Sequence, residues 1–294
     1  MKYLFATTLS FCILTSSVLP ALAGGGAASP TITITPTRVQ QGEPIKITVE
    51  NVSTTAGASN SVKSIALDGK ALGIFIWNGT TTALYGFDLK AKVGTSTIVA
   101  TLVNGKTISK TIFLNERPHI EAPLGIPEKL GGNSTSSELI LVSTLAQENA
   151  KLASLWSGTH AFWKEKFVFP IKNPIVTDDY GYSRQTGAVT ISHKGTDFRA
   201  KEGTAVYAMN RGVVRMAEYT RNYGNTIVVD HGLGLQTMYM HLSKINVNVG
   251  QLVLPNPQIG LSGMTGYAES PHLHLTIRIG GVSIDAMKFM ELFR

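Results

Sequence analysis

The clearest pattern in this sequence lies near its C-terminus, in Ser270-Pro271-His272-Leu273-His274-Leu275-Thr276-Ile277-Arg278. Polar and apolar residues alternate strictly along this segment, which is typical of a β-strand with one buried face. Two imidazoles, those of His272 and His274, then project side by side from the polar face. A single histidine on a strand is more often structural, whereas a His-x-His pair on the polar face of an apolar strand indicates a metal site.

Two segments upstream hold residues of the same chemical kind. Asp197 follows His193 by four positions, and Gly195 between them permits a tight bend that turns both side chains toward a common ion. The third segment is Met238-Tyr239-Met240-His241-Leu242-Ser243. Alternation predicts that four residues share one face of this strand: Leu235, Thr237, Tyr239 and His241. Each of these two upstream segments alone is a weak signal, and the interpretation depends on their combination with the histidine pair.

The segment with the two histidines belongs to a C-terminal half that is rich in strand patterns. From Phe167 onward, glycine-rich connections separate short apolar runs. Strands are predicted at Ala205–Met209, Gly212–Glu218, Thr226–Asp230, Gln236–Leu242 and His272–Ile279. We therefore expect an antiparallel β domain over residues 166–294.

The N-terminal half also predicts strands, with a different pattern of turns. Strict alternation begins at Thr31, and Asn104-Gly105 lies between two strand-like runs, Thr97–Val103 and Lys106–Leu114. An Asn-Gly pair between two such runs is a strong signal for a β-hairpin with a two-residue loop. Residues 31–117 are therefore expected to form a small β-sandwich, immunoglobulin-like in type.

A helical connector, residues 118–165, is predicted between the two β-rich parts. Prolines and Gly131-Gly132 indicate a linker over 118–134, and apolar residues at helical spacing predict an amphipathic helix over about 136–155. Thr135 and Glu138 have the spacing of a capping box at its start. We expect this helix to pack between the two domains of a mostly β protein.

Composition excludes several classes of protein. The chain has 294 residues, of which 43% are hydrophobic and 15% charged, so it is not intrinsically disordered and is long enough for two cores. The net charge of +7 is spread along the chain without a basic block, which disfavours nucleic-acid binding. Loose attraction to an anionic cell envelope and a merely soluble basic surface both remain possible explanations of this charge.

The N-terminus has the pattern of a secretory signal peptide, residues 1–23. Met1-Lys2 precedes an apolar run, and Pro20-Ala21-Leu22-Ala23 provides small residues for cleavage after Ala23. Cys12 would leave with this segment, so the mature chain is expected to have no disulfide. A flexible lead-in, 24–30, follows, and no later stretch predicts a membrane span. We expect an exported protein in the periplasm or outside the cell.

Taken together, the histidine segments resemble the lysostaphin/LytM-type family of zinc metallopeptidases, which cut peptidoglycan peptides. That family carries His-x-x-x-Asp, a Tyr-x-His-Leu strand and His-x-His in this order. These patterns occur here at His193/Asp197, Tyr239-Met240-His241-Leu242 and His272/His274. The resemblance covers about residues 166–294.

The resemblance implies a role for each of five residues. His193, Asp197 and His274 would hold one zinc ion, while His241 and His272 would act as general base and oxyanion stabiliser, in an order that the sequence does not fix. Two imidazoles and one carboxylate leave a tetrahedral ion one open position, as in catalytic rather than structural zinc sites. Arg278 is interpreted as structural, with binding of a substrate carboxylate as the alternative.

The function that follows is an exported zinc endopeptidase that cuts stem or bridge peptides of bacterial peptidoglycan. The bond is either D-alanyl–diaminopimelate or a glycine bridge. Two alternatives belong to other classes: a non-catalytic family member that binds and activates a cell-wall amidase, and a structural zinc or adhesion module. The N-terminal sandwich is a spacer, a lid or a wall-binding module, with spacer or lid favoured. The sequence does not identify a protein partner.

Overall fold

The computed structural model describes residues 28–293. The predicted signal peptide 1–23, Cys12 and most of the predicted lead-in 24–30 lie outside the described residues, so export stays a prediction. Within 28–293, no helix is both long and apolar enough to cross a bilayer. The chain is mostly β, as predicted.

Nine strands form two sheets in the N-terminal half. They are β1 (Thr31–Thr35), β2 (Val39–Gln40), β3 (Pro44–Glu50), β4 (Val62–Leu67), β5 (Lys70–Leu72), β6 (Ile74–Trp77), β7 (Thr80–Gly86), β8 (Gly94–Leu102) and β9 (Thr107–Asn115). One sheet has the order β1-β3-β7-β6 and the other the order β2-β9-β8-β4-β5. Alternate residues of both sheets, such as Ile47 and Ile98, are fully buried in one shared core, so the two sheets form a sandwich.

The hairpin predicted around Asn104-Gly105 is confirmed, but its loop is longer than the predicted two residues, because β8 ends at Leu102 and β9 begins at Thr107. β8 and β9 pair antiparallel from Gly94↔Leu114 to Thr101↔Thr107, and the backbone N–H of Gly105 donates to the carbonyl of Leu102 at 3.0 Å. The immunoglobulin-like type of the sandwich stays a prediction.

The connector contains more structure than the predicted linker. It has the short strand β10 (Glu121–Pro123), a 3-10 turn at Glu128–Leu130 and the helix α1 (Thr135–Ala153). The capping-box prediction is wrong in detail, because the N-cap is Ser134, whose hydroxyl accepts from the backbone N–H of Ser137. Glu138 is used elsewhere: its carboxylate accepts from the backbone N–H of Ala188 at 3.2 Å.

The C-terminal half holds thirteen further strands and a short helix. They are β11 (Val176–Asp178), β12 (Ser183–Thr186), β13 (Val189–Ser192), β14 (Thr196–Arg199), β15 (Ala205–Tyr207), β16 (Gly212–Thr220), β17 (Gly224–Gly232), β18 (Leu235–Leu242), β19 (Lys244–Ile245), β20 (Leu252–Val253), β21 (Gln258–Leu261), β22 (His272–Ile279), β23 (Val282–Ile284) and α2 (Ala286–Glu291). The main sheet has the order β11-β14-β22-β18-β17-β16-β20, with β23 paired to β22. Every pairing within it is antiparallel, as predicted.

The two faces of β22 differ as its alternation predicts. Leu273, Leu275 and Ile277 are fully buried in the core on one face. The opposite face carries the histidines. Part of this histidine-bearing side of the main sheet packs against α1, whose Leu152 belongs to a small apolar cluster with Met240. The main sheet therefore separates a packed core from the face that holds the candidate site.

The N-terminal sandwich and the C-terminal half are in direct contact. The guanidinium of Arg117 donates to the carboxylate of Asp285 at 2.8 Å, and the rings of Trp77 and Phe293 meet edge to face at 5.1 Å. The guanidinium of Arg117 also donates to the carbonyl of Tyr180, a buried residue of the C-terminal half, at 3.0 Å. These contacts fix the sandwich beside the strands that carry the site.

Candidate metal centre

Three of the predicted site residues meet in one place. Nε2 of His193, Oδ1 of Asp197 and Nδ1 of His274 lie 2.7–3.1 Å from one another. All three side chains are buried, with at most 8% of any residue exposed. Among residues 28–293 they form a group whose ligand atoms are close enough to share one metal ion.

The pairing of two strands explains why these residues meet. Asp197 on β14 lies directly opposite His274 on β22. His193 comes just before β14, and Gly195 allows the chain to pass close to the site, since a Cβ there would lie 2.2 Å from Nε2 of His274. The glycine therefore provides space for the imidazole in addition to the predicted bend.

Hydrogen bonds on the outer side of each imidazole fix where its proton lies. Nδ1 of His193 is 2.8 Å from the carbonyl oxygen of Asp179, which can only accept, so this nitrogen carries the hydrogen. Nε2 of His274 contacts the hydroxyl of Thr276 at 3.0 Å, and that hydroxyl donates its own hydrogen to the carbonyl of Lys194. We therefore assign the hydrogen of His274 to Nε2, so the inward nitrogens of both rings present lone pairs.

Burial and neighbouring charges set the protonation of the group. Burial acts to raise the pKa of Asp197, but the interactions that His193 and His274 offer when protonated outweigh it and hold this pKa well below its usual value. Burial lowers the pKa of His274 to about 4. At neutral pH the carboxylate is therefore ionised and His274 is neutral.

This arrangement fits a metal ion. Three acceptor atoms face one another at hydrogen-bond distance with no hydrogen between them, which is unfavourable unless a cation lies among them. Two imidazole nitrogens and one carboxylate oxygen are also the ligand set of several catalytic zinc sites. The group could therefore hold one divalent cation.

His241 reaches the same site through an irregularity in its strand. Asn225 pairs with Leu242 and Ile227 with Tyr239, so β18 has one residue more than β17 between these pairs. His241 has a left-handed backbone with φ of 61°. Such bulges redirect a side chain. The predicted common face with Leu235, Thr237 and Tyr239 is therefore wrong for His241, since its ring lies among the site histidines while Tyr239 packs in the core.

His272 completes the group of five. Its ring centre is 4.9 Å from that of His241, and its Nε2 is 3.8 Å from Oδ1 of Asp197. Nδ1 of His272 faces the carbonyl of Ser270, and Nδ1 of His241 faces the carbonyl of Thr265, each at 2.8 Å. Both rings therefore carry their hydrogen on the outer nitrogen and leave Nε2 free to accept a proton.

Arg184 is a site residue that the sequence interpretation missed. Its guanidinium donates to Oδ2 of Asp197 at 2.9 Å and also contacts Asp178. The carboxylate of Asp197 thus has one oxygen held by Arg184 and the other facing the imidazoles. The sequence gives no signal for this contact, because Arg184 lies on a different strand, β12, thirteen positions before Asp197.

A groove of about 550 Å³ leads to the site. Its lining includes His193, His241 and His274 together with α1, which contributes Val142, Leu145 and Asn149. The tip of the sandwich also reaches it, through Asp88 and Lys90. Sequence patterns identified α1 but not its position along this groove.

Part of the C-terminal half is similar in sequence to known peptidases. Residues 191–286 match the profile of Peptidase family M23. A segment of 99 residues is 48% identical to the peptidoglycan DD-endopeptidase ShyA of Vibrio cholerae, and one of 103 residues is 40% identical to ShyB of the same organism. These alignments cover 33% and 35% of this chain but only 22% and 24% of the relatives.

A similar fold extends over most of the chain. The crystal structure of a protein assigned to peptidase M23, from Pseudomonas aeruginosa, superposes with a TM-score of 0.60 and covers 86% of this chain and 95% of its own. The sequence identity is 22%, so this likeness concerns the fold alone. Residues 191–286, in the C-terminal half of this chain, match peptidase family M23, in agreement with the family resemblance of the histidine segments.

Proposed function

We propose that this protein is an exported zinc endopeptidase that hydrolyses the peptide cross-links of bacterial peptidoglycan. The observation that carries the proposal is the meeting of His193, Asp197 and His274 with inward lone pairs, beside two further histidines whose Nε2 atoms are free. This arrangement combines a metal site with proton acceptors, which hydrolysis of a peptide bond requires.

His193, Asp197 and His274 would hold one zinc ion. When bound, the zinc supplies a Lewis acid that polarises a peptide carbonyl and makes water a stronger acid. His241 and His272 would divide two roles, in an order that the sequence does not fix. One would accept at Nε2 the proton that the attacking water loses and pass it to the leaving amine, while the other, protonated at Nε2 from solvent, would donate to the oxygen on which negative charge develops. The carbonyls of Thr265 and Ser270 hold both rings in the orientation for this exchange.

The relatives indicate the class of bond. ShyA and ShyB are named peptidoglycan DD-endopeptidases, which favours a D-alanyl cross-link over a glycine bridge for this chain. Because peptidoglycan lies outside the cytoplasmic membrane, this substrate agrees with the predicted export and a location in the periplasm or outside the cell. The groove supports the role of a lid for the sandwich, since Asp88 and Lys90 line it together with the site histidines.

The second candidate, a non-catalytic activator of an amidase, is less well supported. Such a protein needs the fold and a docking surface but no proton acceptors beside a metal site. Here all five polar side chains are present, and the outer hydrogen bonds hold both His241 and His272 in the state that accepts a proton.

Digestion of purified diaminopimelate-type peptidoglycan by the full chain tests the proposal. Mass spectrometry of the released muropeptides should show loss of D-alanyl cross-links, with no release by Asp197→Asn. Glu202→Gln, which removes the charge of an exposed carboxylate in the same half, serves as the matched control and should digest like wild type. Release of stem peptides free of their sugar, or no release by wild type loaded with zinc, would contradict the proposal.

A further inference from the structure

Arg278 is a buried cation on the face of β22 that carries the histidines. Only 8% of the residue is exposed, and it follows His274 by four positions. Among residues 28–293 its guanidinium has two polar contacts and no carboxylate partner. The contacts are the hydroxyl of Ser283 at 3.3 Å and the side-chain oxygen of Asn149 at 3.4 Å.

These contacts leave the guanidinium poorly satisfied. Both are longer than ordinary N–H···O hydrogen bonds, which measure about 2.7–3.2 Å. A guanidinium has five N–H donors, and a buried charge is normally paired. Burial lowers the pKa of Arg278, yet an arginine remains protonated in proteins, so the positive charge persists in this place.

Arg278 lines the groove that leads to the candidate metal centre. Along a strand, four residues span about 13 Å, so the backbone position of Arg278 lies roughly three to four residues of extended peptide from that of His274. Apart from the histidines, the charged side chains that line the groove are four basic and one acidic: Lys90, Arg184, Lys194, Arg278 and Asp88. Arg184 is paired with Asp178 and Asp197, which leaves three basic side chains against one acidic one, so the groove as a whole favours an anionic ligand.

The groups around Arg278 suit a carboxylate. The amide oxygen of Asn149, on α1, accepts from the guanidinium at 3.4 Å and also from the hydroxyl of Tyr223 at 3.0 Å. Burial raises the pKa of Tyr223 to about 12, so its hydroxyl keeps its hydrogen, which Asn149 accepts here and which a bound carboxylate would accept in its place. A carboxylate is a stronger acceptor than a neutral amide and binds a guanidinium with two parallel hydrogen bonds.

We infer that Arg278, with the hydroxyl of Tyr223, forms a subsite for a free carboxylate of the peptide substrate, three to four residues from the bond that is cut. This inference rests on the proposed function and adds to it a specificity-determining residue. The carboxylate belongs either to the C-terminus of a stem peptide or to a side chain within it, and the probes below distinguish these sources.

Isothermal titration calorimetry tests the subsite on the full chain loaded with zinc. His241 and His272 are both replaced by alanine, so that the probe stays intact. The probes are a cross-linked tetrapeptide dimer with free carboxylates, the same dimer amidated at its C-terminal carboxylate, and the same dimer amidated at its internal carboxylates. We expect one amidated dimer to bind about tenfold more weakly than the free dimer, because it loses a charge-assisted pair.

The substitution Arg278→Met should weaken binding of the free dimer by the same factor and leave binding of that amidated dimer unchanged. Arg38→Met, which removes an exposed arginine from the sandwich, should leave all three affinities unchanged. Arg278→Lys keeps the charge without the planar pair of donors, so its affinity for the free dimer should lie between that of the protein with Arg278 and that of Arg278→Met. The comparison of the three probes on the protein that retains Arg278 needs no variant at this position. It therefore tests the subsite even if Arg278→Met fails to fold.

Equal affinities for the three dimers would overturn the subsite, as would an equal loss for all dimers on Arg278→Met. Cleavage by the wild-type chain is recorded separately. If the wild-type chain cuts cross-links while the three probes bind equally, the subsite is wrong and the proposed function stands. If it cuts none while the probes differ as expected, the proposed function is wrong and carboxylate binding by Arg278 stands.

Discussion

Nε2 of His193 lies 3.1 Å from Nδ1 of His274, and both nitrogens present lone pairs. The outer hydrogen bonds produce this arrangement: the carbonyl of Asp179 fixes the hydrogen of one ring, and the hydroxyl of Thr276 fixes that of the other. Two neutral imidazoles held in this way, beside an ionised carboxylate, are preorganised for a cation.

Thr276→Val should weaken zinc binding. The valine has the same shape but removes the acceptor that orients His274, and loss of such an outer partner lowers metal affinity roughly 10- to 100-fold. Competition with a chromogenic chelator measures the affinity. Thr237→Val is the matched control, since the Thr237 hydroxyl contacts Nε2 of His231, which lies outside the site, at 2.9 Å. Equal zinc affinities of the two variants would show that Thr276 does not orient the ligand.

Gly195→Ala should displace His274. The added Cβ would lie 2.2 Å from its Nε2 and 2.8 Å from the carbonyl oxygen of Leu275. Overpacking of this kind costs about 1–3 kcal/mol, so zinc affinity should fall about tenfold or more. Gly125→Ala is the control, because its nearest neighbour is a side-chain oxygen of Glu269 at 3.3 Å. Wild-type affinity in Gly195→Ala would contradict the close approach.

His241→Ala and His272→Ala should each retain zinc and lose cleavage. Neither ring belongs to the group of three ligands, and loss of a positioned acid or base lowers a rate by about 10²- to 10⁴-fold. Metal content and the rate of cross-link cleavage are measured on the same samples. His160→Ala, which removes an exposed histidine, should change neither quantity. Full residual activity in either site variant would remove that histidine from the proposed chemistry.

The sequence predicts the parts of the site whose signal is local. The alternation of His272 to Arg278 correctly places Leu275 in the core and His274 on the opposite face, because a strand with one buried face imposes this period. The meeting of His193, Asp197 and His274 follows from the family resemblance rather than from spacing. It depends on the pairing of β14 with β22, residues that are far apart in the chain.

The remaining features depend on tertiary contacts that leave no local pattern. His241 departs from its predicted face because a bulge adds one residue to β18, and alternation contains no information about bulges. Arg184 approaches Asp197 from another sheet. The helix α1 is recognisable from its spacing, yet its place along the groove is set by contacts such as that of Glu148 with the backbone N–H of Asn222 at 3.0 Å.

His231 should make the stability of the chain depend on pH. Burial lowers its pKa to about 4 in the folded state, against 6.5 for an ordinary histidine. Between these values the unfolded chain binds a proton that the folded chain does not, so the stabilisation is complete above about pH 6.5 and is lost as the pH falls toward 4. The free energy of unfolding should fall by about 1.4 kcal/mol per pH unit from this residue.

Urea unfolding of the chain treated with a chelator measures this slope, and His231→Gln is the comparison. The variant should show a smaller dependence on pH in this window, while a slope equal to that of wild type would mean that His231 does not stay neutral. The ring signals of His231 in NMR spectra of the folded chain provide a second check, since they should not titrate until the pH approaches 4.

Zinc stoichiometry is the most direct test of the claim that three residues share one ion. Mass spectrometry of the intact full chain under native conditions, after loading and desalting, should show one zinc per wild-type chain and none for Asp197→Ala. Glu202→Gln, handled in the same way, should retain one zinc. Full occupancy in Asp197→Ala, or none in wild type, would contradict the account.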